Sequence, residues 1–402
     1  MESNLVWVGI DVGRYFHAWC GLDGTGQVVW RRNRVSNTTK AMTQALGQLR
    51  KALPGAALRF AAEEAGGNAA ALARLLAAEG ETAFLAQPLR VHRFHLALGA
   101  PHKSDPYDAQ VIAEFARQYA PRLPRIRPGT PELRALRVLS RRLESVNRDL
   151  RRSLNRLRST LAEYAPEWLI CGVFSDWSTA AALGTLERFG RISKLRRTTL
   201  GRLALALSGW TRGRFKRDHA QRLLEAFDQV SLPPLLEEAY FQSIRSQVTQ
   251  IRHFLAARKE LEGLLAQSQV PAFQALQAEF GYGLETAAVI VSEVGQIADF
   301  DREARFAAYC GVTPITRRSG CSAGSARLGR FTNKRLLRAI FQATVATVRR
   351  DPASQAYYQA KLNGRTDPRA RTTALLALCR HRVRRLYKLL KAADPPPLEA
   401  AA

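Results

Sequence analysis

Residues 5–35, "LVWVGIDVGRYFHAWCGLDGTGQVVWRRNRV", decide the fold. Its three runs "LVWVGIDVG", "HAWCGLDG" and "QVVWRRNRV" are rich in Val, Ile and Trp and are joined by short turns containing glycine. That pattern predicts three short strands in an antiparallel meander. Asp11 interrupts the first run among apolar neighbours, where an uncompensated carboxylate is costly. It needs a partner, either a metal ion or the backbone amides of Val12 and Gly13.

Outward from the meander the pattern changes to alternation. A helical stretch near residues 37 to 52 precedes the strand "LRFAAEE" (58–64), the helix "NAAALARLLAAEG" (68–80), the strand "TAFLAQ" (82–87) and further helix. Three strands followed by αβαβα is the order of a ribonuclease H-like domain, in which the end of "LRFAAEE", with Glu63 and Glu64, lies beside the end of the first strand. Residues 102–110, "HKSDPYDAQ", add two more acids. Pro106 suits a first helical position, so Asp105 reads as the N-cap and Asp108 as an acid favoured by the positive helix end. Their i, i+3 spacing also puts both on one helix face. Four converging carboxylates would repel one another without cations, and hard oxygen ligands select Mg²⁺ or Mn²⁺. Two such ions roughly 3.5 to 4 Å apart stabilise the attacking and leaving oxygens of a phosphodiester.

The chain has 402 residues, and 61 Lys and Arg against 34 Asp and Glu leave a net charge of +27. A surplus of that size predicts a polyanionic partner, nucleic acid first. Only ten of the cations are Lys, and arginine suits bidentate contacts to phosphate and guanine, although a GC-rich genome biases composition the same way. The five cysteines (Cys20, Cys171, Cys310, Cys321, Cys379) are scattered, so reduced thiols are expected and a zinc site is not. No apolar run approaches the roughly 18 residues of a membrane helix, and a cytoplasmic, soluble protein is expected.

Four prolines in "PRLPRIRPGTP" (121–131) mark a linker. Beyond it Leu136, Leu139, Leu143, Val146, Leu150, Leu154, Leu157 and Leu161 recur at spacings of three and four, a coiled-coil signature. Leu236, Tyr240, Ile244, Val248, Ile251 and Leu255 form a second such face, able to pair with the first within the chain or across a dimer. Between them lies a basic segment (191–222) in which Trp210 and Phe215 suit either stacking on unpaired bases or an ordinary core. From about residue 271 the chain is helical and basic. There "GYGLETAAVIVSEVG" runs a Gly-x-Gly turn into a helix that presents backbone N–H groups to a phosphate, and "PITRRSGCSAGSARLGR" reads as a Gly- and Ser-rich loop that contacts phosphate. The tail from residue 392 reads as disordered.

In order, "GIDVG", "EEAGG", "KSDPYDA", "GYGLETAAVIVSEVG", "FAAYCGVTP", "RRSG" and "GRFTNKRLLRAI" resemble the motifs of insertion-sequence family one hundred and ten, DEDD transposases that work with a bridge RNA. The resemblance covers residues 5 to about 391. It implies an α/β plus all-α chain: a ribonuclease H-like (RuvC-like) DEDD domain at 1–130, a coiled-coil and basic region at 131–268, and a helical C-terminal transposase domain at 269–391. It implies that Asp11, Glu64, Asp105 and Asp108 bind Mg²⁺ or Mn²⁺, Glu64 because it directly precedes the Ala-Gly-Gly aligned with the family's Glu-Ala-Thr-Gly. It further implies that a C-terminal serine is the nucleophile. That serine is Ser319 of "RRSG", with Ser322 and Ser325 in the same loop. Double-stranded DNA at element ends and target, a guide RNA and a homo-oligomer, dimeric or tetrameric when active, are the implied partners.

Three rivals remain on the residues alone. A junction nuclease would use the acids to activate water and give "RRSG" no role. A sugar-kinase or actin-like ATPase also begins with "GIDVG", but no second Gly-rich phosphate loop follows an Asp. A non-enzymatic nucleic-acid binder would show steep salt dependence without cleavage.

Overall fold

The structure, a computed structural model, describes residues 4–63, 67–99, 105–126, 129–317, 325–328 and 333–393. The chain divides into two compact units, Met1–Thr130 and Pro131–Ala402.

In the first unit, β1 (Leu5–Val12), β2 (Phe16–Leu22) and β3 (Val28–Ser36) form the antiparallel meander, followed by α1 (Thr39–Ala52), β4 (Ala57–Glu63), α2 (Ala70–Ala78), β5 (Thr82–Ala86), α3 (Pro88–Ala97) and α4 (Asp105–Tyr119). The sheet order is β3-β2-β1-β4-β5, with β1 parallel to β4 and β4 parallel to β5. Both faces are covered, as the parallel strands require. Val6, Val8, Ile10 and Val12 pack with Met42, Leu46 and Leu49 of α1 and Leu72 and Leu76 of α2. Trp7 and Ala61 face the opposite layer, with Val91 of α3 and Val111, Ile112 and Phe115 of α4. The strand alternation of period two therefore sorts the side chains of β1 and β4 between two cores.

Among the described residues the second unit is helical apart from one hairpin. Its long helix α5 (Pro131–Tyr164) is followed by α6 (Glu167–Ile170), α7 (Ala180–Phe189), α8 (Ile192–Arg196), α9 (Leu200–Thr211), α10 (Arg217–Ala226) and a second long helix, α11 (Pro234–Ala266). Next come α12 (Pro271–Ala278), α13 (Leu284–Val294), α14 (Glu303–Tyr309), the strands β6 (Pro314–Arg317) and β7 (Ser325–Leu328), then α15 (Lys334–Val348), α16 (Pro352–Leu362) and α17 (Pro368–Ala393). Helices α5 and α11 pair within the chain and run antiparallel. Ser153 donates to Gln250 at 3.0 Å, the Gln247 amide donates to Thr160 at 2.9 Å, and Tyr164 meets Tyr240 with ring centroids 5.3 Å apart. The buried residues of α11 are Glu237, Phe241, Ile244, Val248, Ile251 and Leu265, while Leu236, expected on this face, is exposed.

Helix α5 serves two cores. Its first half, Leu133, Leu136 and Leu143, packs with α12, α13, α15 and α17, whereas Leu150, Leu157 and Leu161 pack with α7 to α10 around Trp168. Trp168 is fully buried against Phe227, centroids 4.7 Å apart, a site where truncation to alanine costs about 3–5 kcal/mol. Trp210 and Phe215 belong to this second core. Trp210 lies over Gly184, where an added Cβ would come within 2.7 Å of the indole, and Phe215 stacks on His219 with centroids 4.5 Å apart. Both rings are partly buried, so packing against this core accounts for one side of each, with Phe189 of α7 beside Trp210 and Phe174 beside Phe215. Gly281, in the Gly-x-Gly turn before α13, is explained by packing: its φ is +92° and a Cβ would sit 2.3 Å from the Thr347 hydroxyl. Among the described residues no helix is long and apolar enough to cross a membrane.

Candidate active site

The site is built on Gly9. A Cβ there would stand 2.1 Å from the Ala109 carbonyl oxygen and 2.3 Å from the Ala113 backbone nitrogen, so only glycine lets α4 lie directly on β1. Ala109 and Ala113, with Ala18, Cys20 and Leu22 of β2, fill the rest of this contact. The far end of α4 is tied down by Arg117. Its guanidinium donates to both Glu114 oxygens, at 2.8 and 2.6 Å, and to the Gly24 carbonyl at 3.1 Å. The hydrogen bond from Arg117 holds the Glu114 carboxyl below its ordinary range. Gly24 follows the end of β2 that pairs with Trp7, so α4 runs against β1 and its first turn lies at the Asp11 end.

Helix α4 starts at Asp105 itself, one residue earlier than the cap assignment, so Asp105 and Asp108 both occupy the first turn. Residues 100–104 lie outside the described residues. Asp11 is opposite Ala18 in the β1–β2 ladder, and Ala18 packs against α4, which puts Asp11 on the α4 face. Ile10 pairs with Ala62, so the next residue on each strand is Asp11 and Glu63 respectively. Ala61 faces α4 and Ala62 faces the other core, so alternation puts Glu63 on the α4 face as well. Glu64 lies outside the described residues. Asp11, Glu63 and Asp108 are each partly buried and Asp105 is exposed.

One neighbour escaped the sequence reading. His95 of α3 brings its Nδ1 to 3.6 Å from an Asp108 carboxylate oxygen and sets its ring edge-on to Tyr107, with centroids 5.4 Å apart. Nothing in "RFHLALG" marks that histidine, because α3 meets α4 only in the folded unit. Apart from His95, the donors described at this end of the sheet are carboxylate oxygens, the chemistry of a hard divalent cation. Among the described residues, however, no group of three or more His, Cys, Asp or Glu side chains is close enough to hold a metal ion.

In the second unit, Ser319 and Ser322 lie outside the described residues, and Ser325 opens β7 opposite Arg317. The expected irregular loop is therefore an antiparallel hairpin in part, with Ile315 and Thr316 supplying β-branched residues to its first strand.

A transposase family model of the DEDD type matches residues 8–166, which span the sheet, α4 and α5. The chain is a DNA transposase. A second model, transposases of the IS116/IS110/IS902 family, matches residues 274–359, and the chain belongs to that family. Similar proteins include an insertion element IS110 uncharacterized 43.6 kDa protein of Streptomyces coelicolor, 29% identical over 97% of this chain and 95% of its own length. An insertion element IS116 uncharacterized 44.8 kDa protein of Streptomyces clavuligerus is 26% identical over 97% of this chain and 96% of its own. An insertion element IS900 uncharacterized 42 kDa protein of Mycobacterium paratuberculosis is 26% identical, with 96% of both chains covered.

Proposed function

We propose that this transposase cuts and exchanges DNA strands of a mobile element and its target through a covalent phosphoserine, guided by an RNA. The observation that carries the acidic half of this reading is the shared face of Asp11, Glu63 and the first turn of α4. The sheet order β3-β2-β1-β4-β5 supports a ribonuclease H-like, RuvC-like domain over residues 1–130. Asp11, Asp105, Asp108 and one acid of the Glu63–Glu64 pair would hold the cation, Mg²⁺ or Mn²⁺. Alternation favours Glu63 for that role, whereas the motif resemblance gave Glu64. When bound, a divalent cation there neutralises charge developing on phosphate oxygens.

Ser319 is the proposed nucleophile. Its Oγ loses a proton and bonds to phosphorus while the bond to the leaving strand oxygen breaks, and that oxygen is protonated. A hydroxyl of the incoming strand then displaces the serine, which regains its proton. The +27 surplus of the chain suits the DNA and RNA of such a reaction. A coiled-coil and basic region over 131–268, a C-terminal transposase domain over 269–391 and assembly as a dimer or tetramer complete the proposal.

The test is denaturing gel analysis of DNA labelled at an element end, with the wild type and Ser319→Ala. Labelled protein adducts with the wild type and none with the variant are expected. Cleavage without any adduct would point instead to a junction nuclease acting through water.

A further inference from the structure

Helix α13 is mostly apolar, yet it buries an acid near its end. Glu293 is 7% exposed in its last turn, where the negative helix end disfavours a carboxylate and burial adds a desolvation cost. Three side chains offset that cost. Arg141 of α5 lies at 3.3 Å, Arg335 of α15 at 3.1 Å, and the Asn333 amide donates to Glu293 Oε2 at 2.9 Å. Arg335 also reaches Glu144 of α5 at 2.5 Å, so the cluster is anchored to the long helix.

The positions of these partners in the chain matter most. Asn333 is the N-cap of α15, with its Oδ1 accepting from the Arg335 and Leu336 amides at 3.1 Å each. Tyr309 is the last residue of α14, and its hydroxyl donates to the Glu293 carbonyl at 2.8 Å. Between Tyr309 and Asn333 runs the excursion that contains β6 and β7. Glu293 thus ties the last residue of α14 to the N-cap of α15, on either side of that stretch, while Cys310 and Val312 beyond Tyr309 are still buried in the core. Its carbonyl fixes one foot and its carboxylate the other.

We propose that Glu293, acting through Tyr309 and Asn333, is a positioning residue that sets the two feet of the β6–β7 hairpin and so the placement of the segment it carries. The proposal rests on the reading of Ser319 as nucleophile, because that serine lies in the connection between the two strands. A nucleophile displaced by about 1 Å loses on the order of 100-fold in rate. The Asn333 tie also helps to offset the cost of burying Glu293, so positioning is told from stability only by reading the thermal midpoint beside the rate.

The experiment uses the full chain with Tyr309→Phe and Asn333→Ser combined. Serine still caps α15 but is too short to reach Glu293, and phenylalanine removes only the hydroxyl. Four readouts are taken: the rate of covalent adduct formation, DNA affinity, the thermal midpoint, and the rate of tryptic cleavage after Arg317, Arg318, Arg327 and Arg330. The expected result is an adduct rate about 10- to 100-fold lower, DNA affinity and thermal midpoint near wild type, and faster tryptic cleavage. An adduct rate equal to wild type overturns the proposal, and so does a loss that tracks a fallen thermal midpoint and recovers on cooling. Should Ser319→Ala still form adducts, the nucleophile assignment fails, and the clamp is then judged on the tryptic pattern alone. An unchanged pattern overturns it.

Discussion

Gly9 of β1 and Ala109 of α4 meet backbone to backbone, with no room for a single methyl between them. That contact sets the height of α4 above the sheet, and with it the distance from Asp108 to Asp11. Gly9→Ala forces the helix outward or breaks the strand, at a cost of about 3 kcal/mol or more in the first unit. Strand cleavage should fall further than stability alone explains, because the acids separate. Thermal denaturation of the full chain and cleavage assays on the same preparation measure both. A variant with wild-type stability and activity would show that α4 is not seated by this contact.

The alternation along β4 puts Glu63 on the face of Asp11. Glu63→Gln should abolish metal-dependent cleavage while Glu64→Gln keeps most of it. Calorimetric titration with Mn²⁺ adds a readout independent of turnover. Loss confined to Glu64→Gln would return the role to that residue and require the chain to turn over after β4.

His95 touches Asp108 without being an acid of the motif. A side chain that orients a ligating carboxylate is typically worth 10- to 100-fold in metal affinity or activity, so His95→Ala should cost about that much. The thermal midpoint is read alongside, since the ring is largely buried against Tyr107. Equal Mn²⁺ affinity and equal cleavage in the variant would make the 3.6 Å approach incidental.

His17, on the opposite sheet face from Asp11, is 1% exposed, and burial pushes its pKa below the ordinary 6.5, opposed in part by the Asn37 side chain. In the unfolded chain the ring takes up a proton near 6.5, whereas in the folded unit it does so only at lower pH. The unfolded state therefore binds more protons as pH falls below about 6.5, and the unit loses stability from there down to the folded value. Urea midpoints between pH 7.5 and 5 should decline for the wild type and flatten for His17→Leu. Parallel declines would assign the slope to other groups.

The meander was legible because Val6, Val8, Ile10 and Val12 alternate with Trp7, Gly9 and Asp11, and glycine turns punctuate the runs. The seven-residue rhythm of Leu136, Leu143, Leu150 and Leu157 made α5 equally plain. Other features had no local signal. A one-residue slip in strand register moves an acid to the other face, so motif alignment chose Glu64 where alternation favours Glu63. The partner of α5, the burial of Trp210, the nearness of His95 to Asp108 and the hub at Glu293 all depend on contacts between residues far apart in sequence. A Gly- and Ser-rich stretch also concealed the short strands β6 and β7.

Helix α5 passes without interruption from one hydrophobic core into another, and that continuity makes it a gear shaft as much as a spacer. At about 1.5 Å of rise and 100° of turn per residue, inserting one residue between Leu143 and Leu150 would swing the Trp168 core about a third of a turn around the axis. Seven inserted residues would restore the facing and change only the reach. The angular phase of the two cores is therefore written in the residue count of one helix, and evolution can lengthen this arm only by insertions, such as about seven or about eleven residues, that come close to whole turns.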